Sequence, residues 1–361
     1  MRIAVLGVGL VGGSIGLAAR ARAGSEVCGY DTDPQVTAKA LELGAVDRTA
    51  EDIAAAVRGA DAVFVAVPVG ALAATVAQAL DAAGPDCVVS DVGSTKRLLS
   101  QASADERFVG GHPLAGAETE GVEHAREDLF EGATWYLTPA RDSTAGVLYE
   151  RLHALLRRLG AIPTAIDAET HDRLMACISH LPHVLANVLA GQAARTLGGP
   201  GEGSERLPAI GPSFRDAIRV AGANTAIWTD IYVSNADALQ ASIDELKGRL
   251  DEVLAMLAEG GDAAALGAWN ERARADRDAL LAAGIAGGSA HELRVHVPNR
   301  PGVVAEIALA LGEAGVNIGD MVLSPSRDNS RGVIALWIGG EEPAARAEAA
   351  VGKLGFQVLR A

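Results

Sequence analysis

The 361-residue chain has only three cysteines, Cys28, Cys87 and Cys177. They are odd in number, far apart and form no C-x-x-C pair, which excludes a disulfide framework and a thiolate zinc site. They read as small buried hydrophobes in a reduced cytoplasm. No other His, Cys and Asp grouping suggests a metal site either, and none is expected. Positive charge is scarce: 31 Lys and Arg against 46 Asp and Glu leave a net charge of −15. Such a chain repels phosphate backbones, and no Lys/Arg stripe reverses the field locally, so nucleic acid is excluded as a partner. Uninterrupted apolar runs are missing as well. Residues 3–19 carry no charge, but glycines at 7, 9, 12, 13 and 16 crowd what would be the apolar helix of a signal peptide. Residues 62–80 are also uncharged, yet Pro68 and Gly70 divide them into a strand and a helix. Neither reads as a membrane span.

What is present describes a soluble globular chain, with 49% hydrophobic residues and 42 scattered glycines. Its length exceeds one ordinary core and predicts two or three domains. Short Val/Ile-rich runs at 2–6, 26–30, 62–66, 87–90 and 108–111 alternate with helical patterns, as βαβ units of a parallel sheet do. Runs at 134–138 and 161–166, flanking a helix near 143–159, complete a first domain over 1–167. Residues 168–286 then read as helical almost throughout. There Leu239, Ile243, Leu246, Leu250, Val253 and Leu257 form a seam suited to a partner helix or to an ordinary core. A glycine-rich linker follows, and 290–361 returns to strand and helix in the order βαββαβ. The tail holds seven basic and eight acidic residues over 291–361, so the acidity lies in front of it.

Three motifs carry chemistry. Gly7, Gly9 and Gly12 follow the first strand and open a helix with Leu10 and Val11 between them. This is the strand-turn-helix setting that lets backbone N–H groups meet a pyrophosphate. Asp31 ends the second strand 19 residues later, placed to accept ribose hydroxyls and to repel a 2′-phosphate. Together they indicate NAD. Residues 91–96 (DVGSTK) put Ser94 and Lys96 at the carboxyl end of another strand, where such sheets bind ligands; a helix cap is the bland alternative. Residues 110–118 (GGHPLAGAE) place His112 at a strand end, where a neutral imidazole can accept a hydroxyl proton while hydride leaves the same carbon.

These segments, with S-H-L-P-H at 179–183, resemble the prephenate dehydrogenases of tyrosine biosynthesis, in register from residue 1 to about 260. The resemblance implies a Rossmann domain followed by an all-helical dimerisation domain, and hence a homodimer. The tail, with Pro301-Gly302-Val303-Val304 and Gly315-Val316-Asn317-Ile318, is similar to an ACT domain, an amino-acid-sensing module. By resemblance, His112 is the catalytic histidine, and Ser94 holds it or the substrate. Glu118 falls near the site entrance. His183 and Arg219 match substrate contacts, and Arg215 a basic position. Asp172 and Trp228 fall near the site.

The implied substrate, prephenate, is a dianion, and a −15 chain needs local cations to bind it. Arg215 and Arg219, four apart on a helix over 212–221, would share a face, and Lys96 would add a third charge. The implied reaction is NAD-dependent oxidative decarboxylation to 4-hydroxyphenylpyruvate. Arogenate dehydrogenase, or a dual-substrate cyclohexadienyl dehydrogenase, is the neighbouring alternative. A sensing regulator and a 2- or 3-hydroxy-acid dehydrogenase are the more distant ones. In the tail, Asn299, Pro301 and Gly302, with Asn317 and Ile318 as a second wall, would take tyrosine or a related amino acid.

Overall fold

Strand β1 (Arg2–Leu6) lies at the centre of a five-stranded parallel sheet in the order β3-β2-β1-β4-β5. Its partners are β2 (Glu26–Tyr30), β3 (Arg48–Thr49), β4 (Ala62–Val65) and β5 (Val88–Asp91). The connecting helices are α1 (Leu10–Ala23), α2 (Pro34–Glu42), α3 (Ile53–Val57) and α4 (Val69–Ala82). Successive residues of these strands enter opposite cores. Ile3, Val5, Phe64 and Val88 pack on one side, while Ala4, Leu6, Val63, Val65 and Val89 pack on the other. Burial on both faces explains why the strands read as continuous apolar runs rather than alternating ones. Asp33 caps α2 by accepting from Gln35 N at 2.8 Å, with Pro34 at the first helical position.

The computed structural model describes residues 1–102, 104–116, 119–139, 146–196, 210–258, 261–284, 290–326 and 330–360. It divides into two compact units, Met1–Lys247 and Gly248–Ala361. In the first unit the parallel pattern stops after β5. A short helix α5 (Arg97–Ala102) leads to β6 (Val109–Pro113), which pairs antiparallel with β7 (Thr134–Pro139). Helix α6 (Val147–Arg158) then leads to β8 (Ile162–Ala165), parallel to β7. Among the described residues between β6 and β7 the regular structure is a 3₁₀ turn, Val122–His124, as an antiparallel pair needs no crossover helix.

The expected helical stretch begins with α7 (Ala168–Met175), a π-turn at Ala176–His180 and α8 (Leu181–Thr196). This run, Ala168–Thr196, is long and apolar enough to cross a membrane by length and composition alone. It nevertheless buries His171, Asp172 and His180 inside the protein. Next come α9 (Pro212–Ala217), α10 (Thr225–Ser234) and α11 (Ala236–Leu257). Leu239 in the expected seam is buried, but Leu250 and Leu257 stay exposed in the single chain. Cysteine burial is a correction: Cys28 and Cys87 are buried as expected, whereas Cys177, on the π-turn, is exposed.

The second unit contains α12 (Ala263–Gly284) and the tail module. Its strands β9 (Ala290–Pro298), β10 (Asp320–Pro325), β11 (Arg331–Gly339) and β12 (Gln357–Arg360) form an antiparallel sheet ordered β10-β11-β9-β12. Helices α13 (Val303–Glu313) and α14 (Glu341–Lys353) cover one face through Ile307, Leu311, Ala347 and Val351. On the same unit, the Arg277 guanidinium of α12 lies 5.6 Å from the centre of the Trp337 ring.

Candidate active site

The turn after β1 is shaped by its glycines. Gly7 has φ +88°, and a Cβ there would stand 2.4 Å from the Ala66 carbonyl oxygen. A Cβ on Gly12 would collide with the Gly7 carbonyl, so α1 packs directly against the turn. A Cβ on Gly9 would meet nothing within 4 Å, and no side chain caps the helix that Gly9 opens. The first N–H groups of α1, including those of Leu10 and Val11, thus have no side-chain cap and lie at the positive end of the helix dipole. Asp31 sits at the carboxyl end of β2, and its Oδ2 accepts from Val8 N at 3.0 Å. That open glycine cradle, bordered by a carboxylate, fits the pyrophosphate and ribose of NAD.

Two buried aspartates build the rest. Asp91, the last residue of β5, accepts from Gly93 N at 2.8 Å and from Gly111 N at 3.0 Å. It also takes an ion pair from Lys96 Nζ. A Cβ on Gly111 would lie 2.5 Å from the Asp91 carbonyl oxygen, and one on Gly110 would lie 2.3 Å from Thr138 Oγ1. The double glycine thus draws β6 against β5 and delivers His112. Asp172, on α7, accepts from Lys96 N at 2.8 Å and Arg97 N at 2.9 Å. Together the two carboxylates hold the 91–97 loop through Gly93, Lys96 and Arg97.

His112 is half-buried. Its Nδ1 lies 2.9 Å from His171 Nε2, and His171 Nδ1 lies 2.8 Å from Asp172 Oδ1. Tyr136 of β7 packs edge-on against the His171 ring. Among the described residues, His112 Nε2 has no hydrogen-bond partner. Burial is the main cause that pushes the His112 imidazole well below its ordinary range, and His171, Lys96 and His180 add to it. A neutral ring is therefore the resting form, as a proton acceptor requires. His180 is likewise pushed down, to about 4, chiefly by burial. Asn235 Nδ2 reaches its Nδ1 at 3.2 Å and also donates to the Asp172 carbonyl at 2.8 Å.

On α8, His183 stacks on Trp228 of α10 with ring centroids 3.5 Å apart. Its Nδ1 is buried and has no hydrogen-bond partner among the described residues. Burial first, and the positive charge of Arg219 second, lower its pKa. His183, Trp228 and Arg219 thus form a second group within the first unit.

Several expectations need adjustment. Lys96 is not an exposed cation: it is 1% exposed and paired with Asp91, because a lone buried ammonium would be costly. Helix α9 ends at Ala217, so Arg219 lies in the turn beyond it and shares no helical face with Arg215. Arg215 is exposed and donates to the Ile210 carbonyl at 3.2 Å. Ser94 is half-buried on the 91–97 loop, and the partner of the His112 ring is His171 instead. Glu118 lies outside the described residues. In the tail, Gly302 opens α13 at φ +85° beside Pro301, and Asn299 N donates to the Ser330 carbonyl at 3.0 Å. Asn317 and Ile318 precede β10 rather than start it, and Ile318 packs against the module's core. His171 was not anticipated. Its only signal in the sequence is its position directly before Asp172 at the start of an apolar helix.

Comparisons with known proteins agree with this arrangement. Residues 15–162 match the family described as prephenate dehydrogenase, nucleotide-binding domain. Residues 167–269 match prephenate dehydrogenase, dimerization domain, and 291–356 match the ACT domain. The chain is 31% identical to prephenate dehydrogenase of Bacillus subtilis, covering 96% of this chain and 94% of that one. It is similar to the crystal structure of Aquifex aeolicus prephenate dehydrogenase in complex with hydroxyphenyl propionate and NAD+. There the TM-score is 0.68 at 27% identity, over 78% of this chain and 98% of that one. Synechocystis arogenate dehydrogenase gives a TM-score of 0.67 at 28% identity, over 78% and 100% respectively. The chain belongs to the prephenate dehydrogenase family of NAD-dependent oxidoreductases and carries a C-terminal ACT domain.

Proposed function

We propose that the chain catalyses NAD-dependent oxidative decarboxylation of prephenate to 4-hydroxyphenylpyruvate. The observation that carries this reading is His112 at the end of β6, its Nδ1 held 2.9 Å from His171 Nε2 and its Nε2 without a partner among the described residues. Gly7, Gly9, Leu10, Val11, Gly12 and Asp31 hold NAD, which accepts the hydride when bound. His112 Nε2 accepts the proton of the C4 hydroxyl as C4–H departs as hydride, and returns it to the ring oxygen as the phenol forms. The C1 carboxylate leaves as CO2, its bond pair completes the aromatic ring, and the phenol keeps the hydroxyl. Ser94 borders this proton path.

Arg219, flanked by His183 and Trp228, takes a carboxylate beside an aromatic plane, with Arg215 nearby in sequence. Lys96 acts from within by holding the 91–97 loop. The three functional parts are residues 1–167 for NAD, 168–286 for substrate and dimer contacts, and 290–361 for regulation. The exposed Leu250 and Leu257 suit a homodimer. Tyrosine or a related amino acid binds the loop with Asn299, Pro301 and Gly302, against Asn317 and Ile318. The enzyme works in the cytoplasm.

The test is NADH formation from prephenate and from arogenate, each with and without tyrosine. Prephenate is expected to be the better substrate and tyrosine to lower its turnover. Turnover on arogenate alone would move the assignment to arogenate dehydrogenase.

A further inference from the structure

We infer that Asp172 and His171 form a relay that fixes the ring tautomer of His112, which makes His171 a positioning residue for the proton-accepting Nε2. The inference rests on the proposed reaction and specifies how its acceptor nitrogen is selected. The argument runs outward from Asp172. A carboxylate only accepts hydrogen bonds, so the 2.8 Å contact requires His171 to carry its hydrogen on Nδ1. The same carboxylate is held in place by Lys96 N and Arg97 N, at the start of α5. A neutral His171 with its hydrogen on Nδ1 has its lone pair on Nε2. The 2.9 Å contact to His112 then requires His112 Nδ1 to donate. The lone pair of neutral His112 is left on Nε2, the nitrogen without a partner among the described residues. The opposite tautomer of His112 would place two lone pairs 2.9 Å apart and leave Nε2 blocked by a hydrogen.

Groups around the pair favour this arrangement. His171 is fully buried, so water does not compete for its nitrogens. Tyr136 packs on its ring from β7. From the 91–97 loop, the Lys96 ammonium is paired with Asp91, and its remaining field opposes a second proton on His112. His180, the remaining titratable neighbour, is held neutral beside Asn235.

The experiment combines kinetics with nitrogen-15 spectra of histidine-labelled full-length protein. In the wild type, His112 is expected to show a protonated Nδ1 and an unprotonated Nε2. In His171→Leu, the tautomer preference should be lost and kcat should fall about 10- to 100-fold, less than the loss of the general base itself. KM for NAD should stay within about twofold, because the side chain of His171 contacts His112, Asp172 and Tyr136 rather than a residue assigned to NAD. A wild-type His112 protonated on Nε2, or a His171→Leu variant with full kcat, would overturn the relay. The wild-type spectrum decides even if His171→Leu fails to fold. It needs no turnover, so a protein that leaves prephenate unoxidised would sink the proposed function while the tautomer remains separately measured.

Discussion

Gly111 donates its backbone N–H to Asp91 Oδ1 at 3.0 Å, and that bond sets where the catalytic strand lies. The same carboxylate neutralises Lys96, whose ammonium burial would otherwise push toward its uncharged form. Asp91→Ala would leave a buried cation and two backbone donors without their acceptor. A loss of about 3–5 kcal/mol in denaturant unfolding is expected, the usual cost of breaking a buried pair. An unchanged midpoint would show that Lys96 finds another partner.

Asp31, at the end of β2, is the residue proposed to govern cofactor choice. Asp31→Ala is expected to raise the NAD KM and to relax discrimination against NADP, since ribose acceptors and a like charge go together. The readout is the ratio of kcat/KM for the two cofactors. A wild type that uses both equally would contradict the argument.

Burial first and the charge of Arg219 second lower the His183 pKa, which supports the proposal that the two residues share one ligand. Arg219→Gln should raise the prephenate KM by about 10–100-fold, the equivalent of roughly 1.5–3 kcal/mol for a charge-assisted hydrogen bond. The NAD KM should barely move. Equal loss for both ligands would make Arg219 a structural residue.

Buried histidines tie stability to pH. His180 is pushed down to about 4 in the folded protein, against an ordinary value near 6.5. A lowered histidine stabilises the fold fully above its unfolded value, and that contribution is lost as pH falls from about 6.5 toward 4. His112 acts in the same direction. Unfolding followed at a series of pH values should show stability declining over that window. His180→Gln should flatten the decline.

Much of this was legible in the sequence, because the signals were local. β1, β2, the glycine turn and the βαββαβ tail follow from apolar runs and punctuating glycines over a few residues each. The antiparallel β6–β7 pair was not legible, since strand direction depends on a 20-residue connection without a helix or strong turn signal. Lys96 misled for a related reason: a lysine beside Ser94 and Thr95 looks like a ligand cation until Asp91 is found five residues back at the strand end. His171 was hidden because its role depends on contact with His112, 59 positions away. Arg219 was legible as a residue type, but the helix carrying it stops two residues earlier.

The central claim is that His112 accepts the hydroxyl hydrogen of prephenate during hydride transfer to NAD. The direct measurement is kcat for NADH formation from prephenate in wild type and His112→Asn, with the wild type followed across pH. His112→Asn should lose about 10²–10⁴ in kcat with NAD binding nearly intact. Because burial holds His112 well below its ordinary range, the wild-type rate should persist to below pH 6.5 and fall only at more acid values. Wild-type turnover in His112→Asn, or a flat acid limb, would contradict the account.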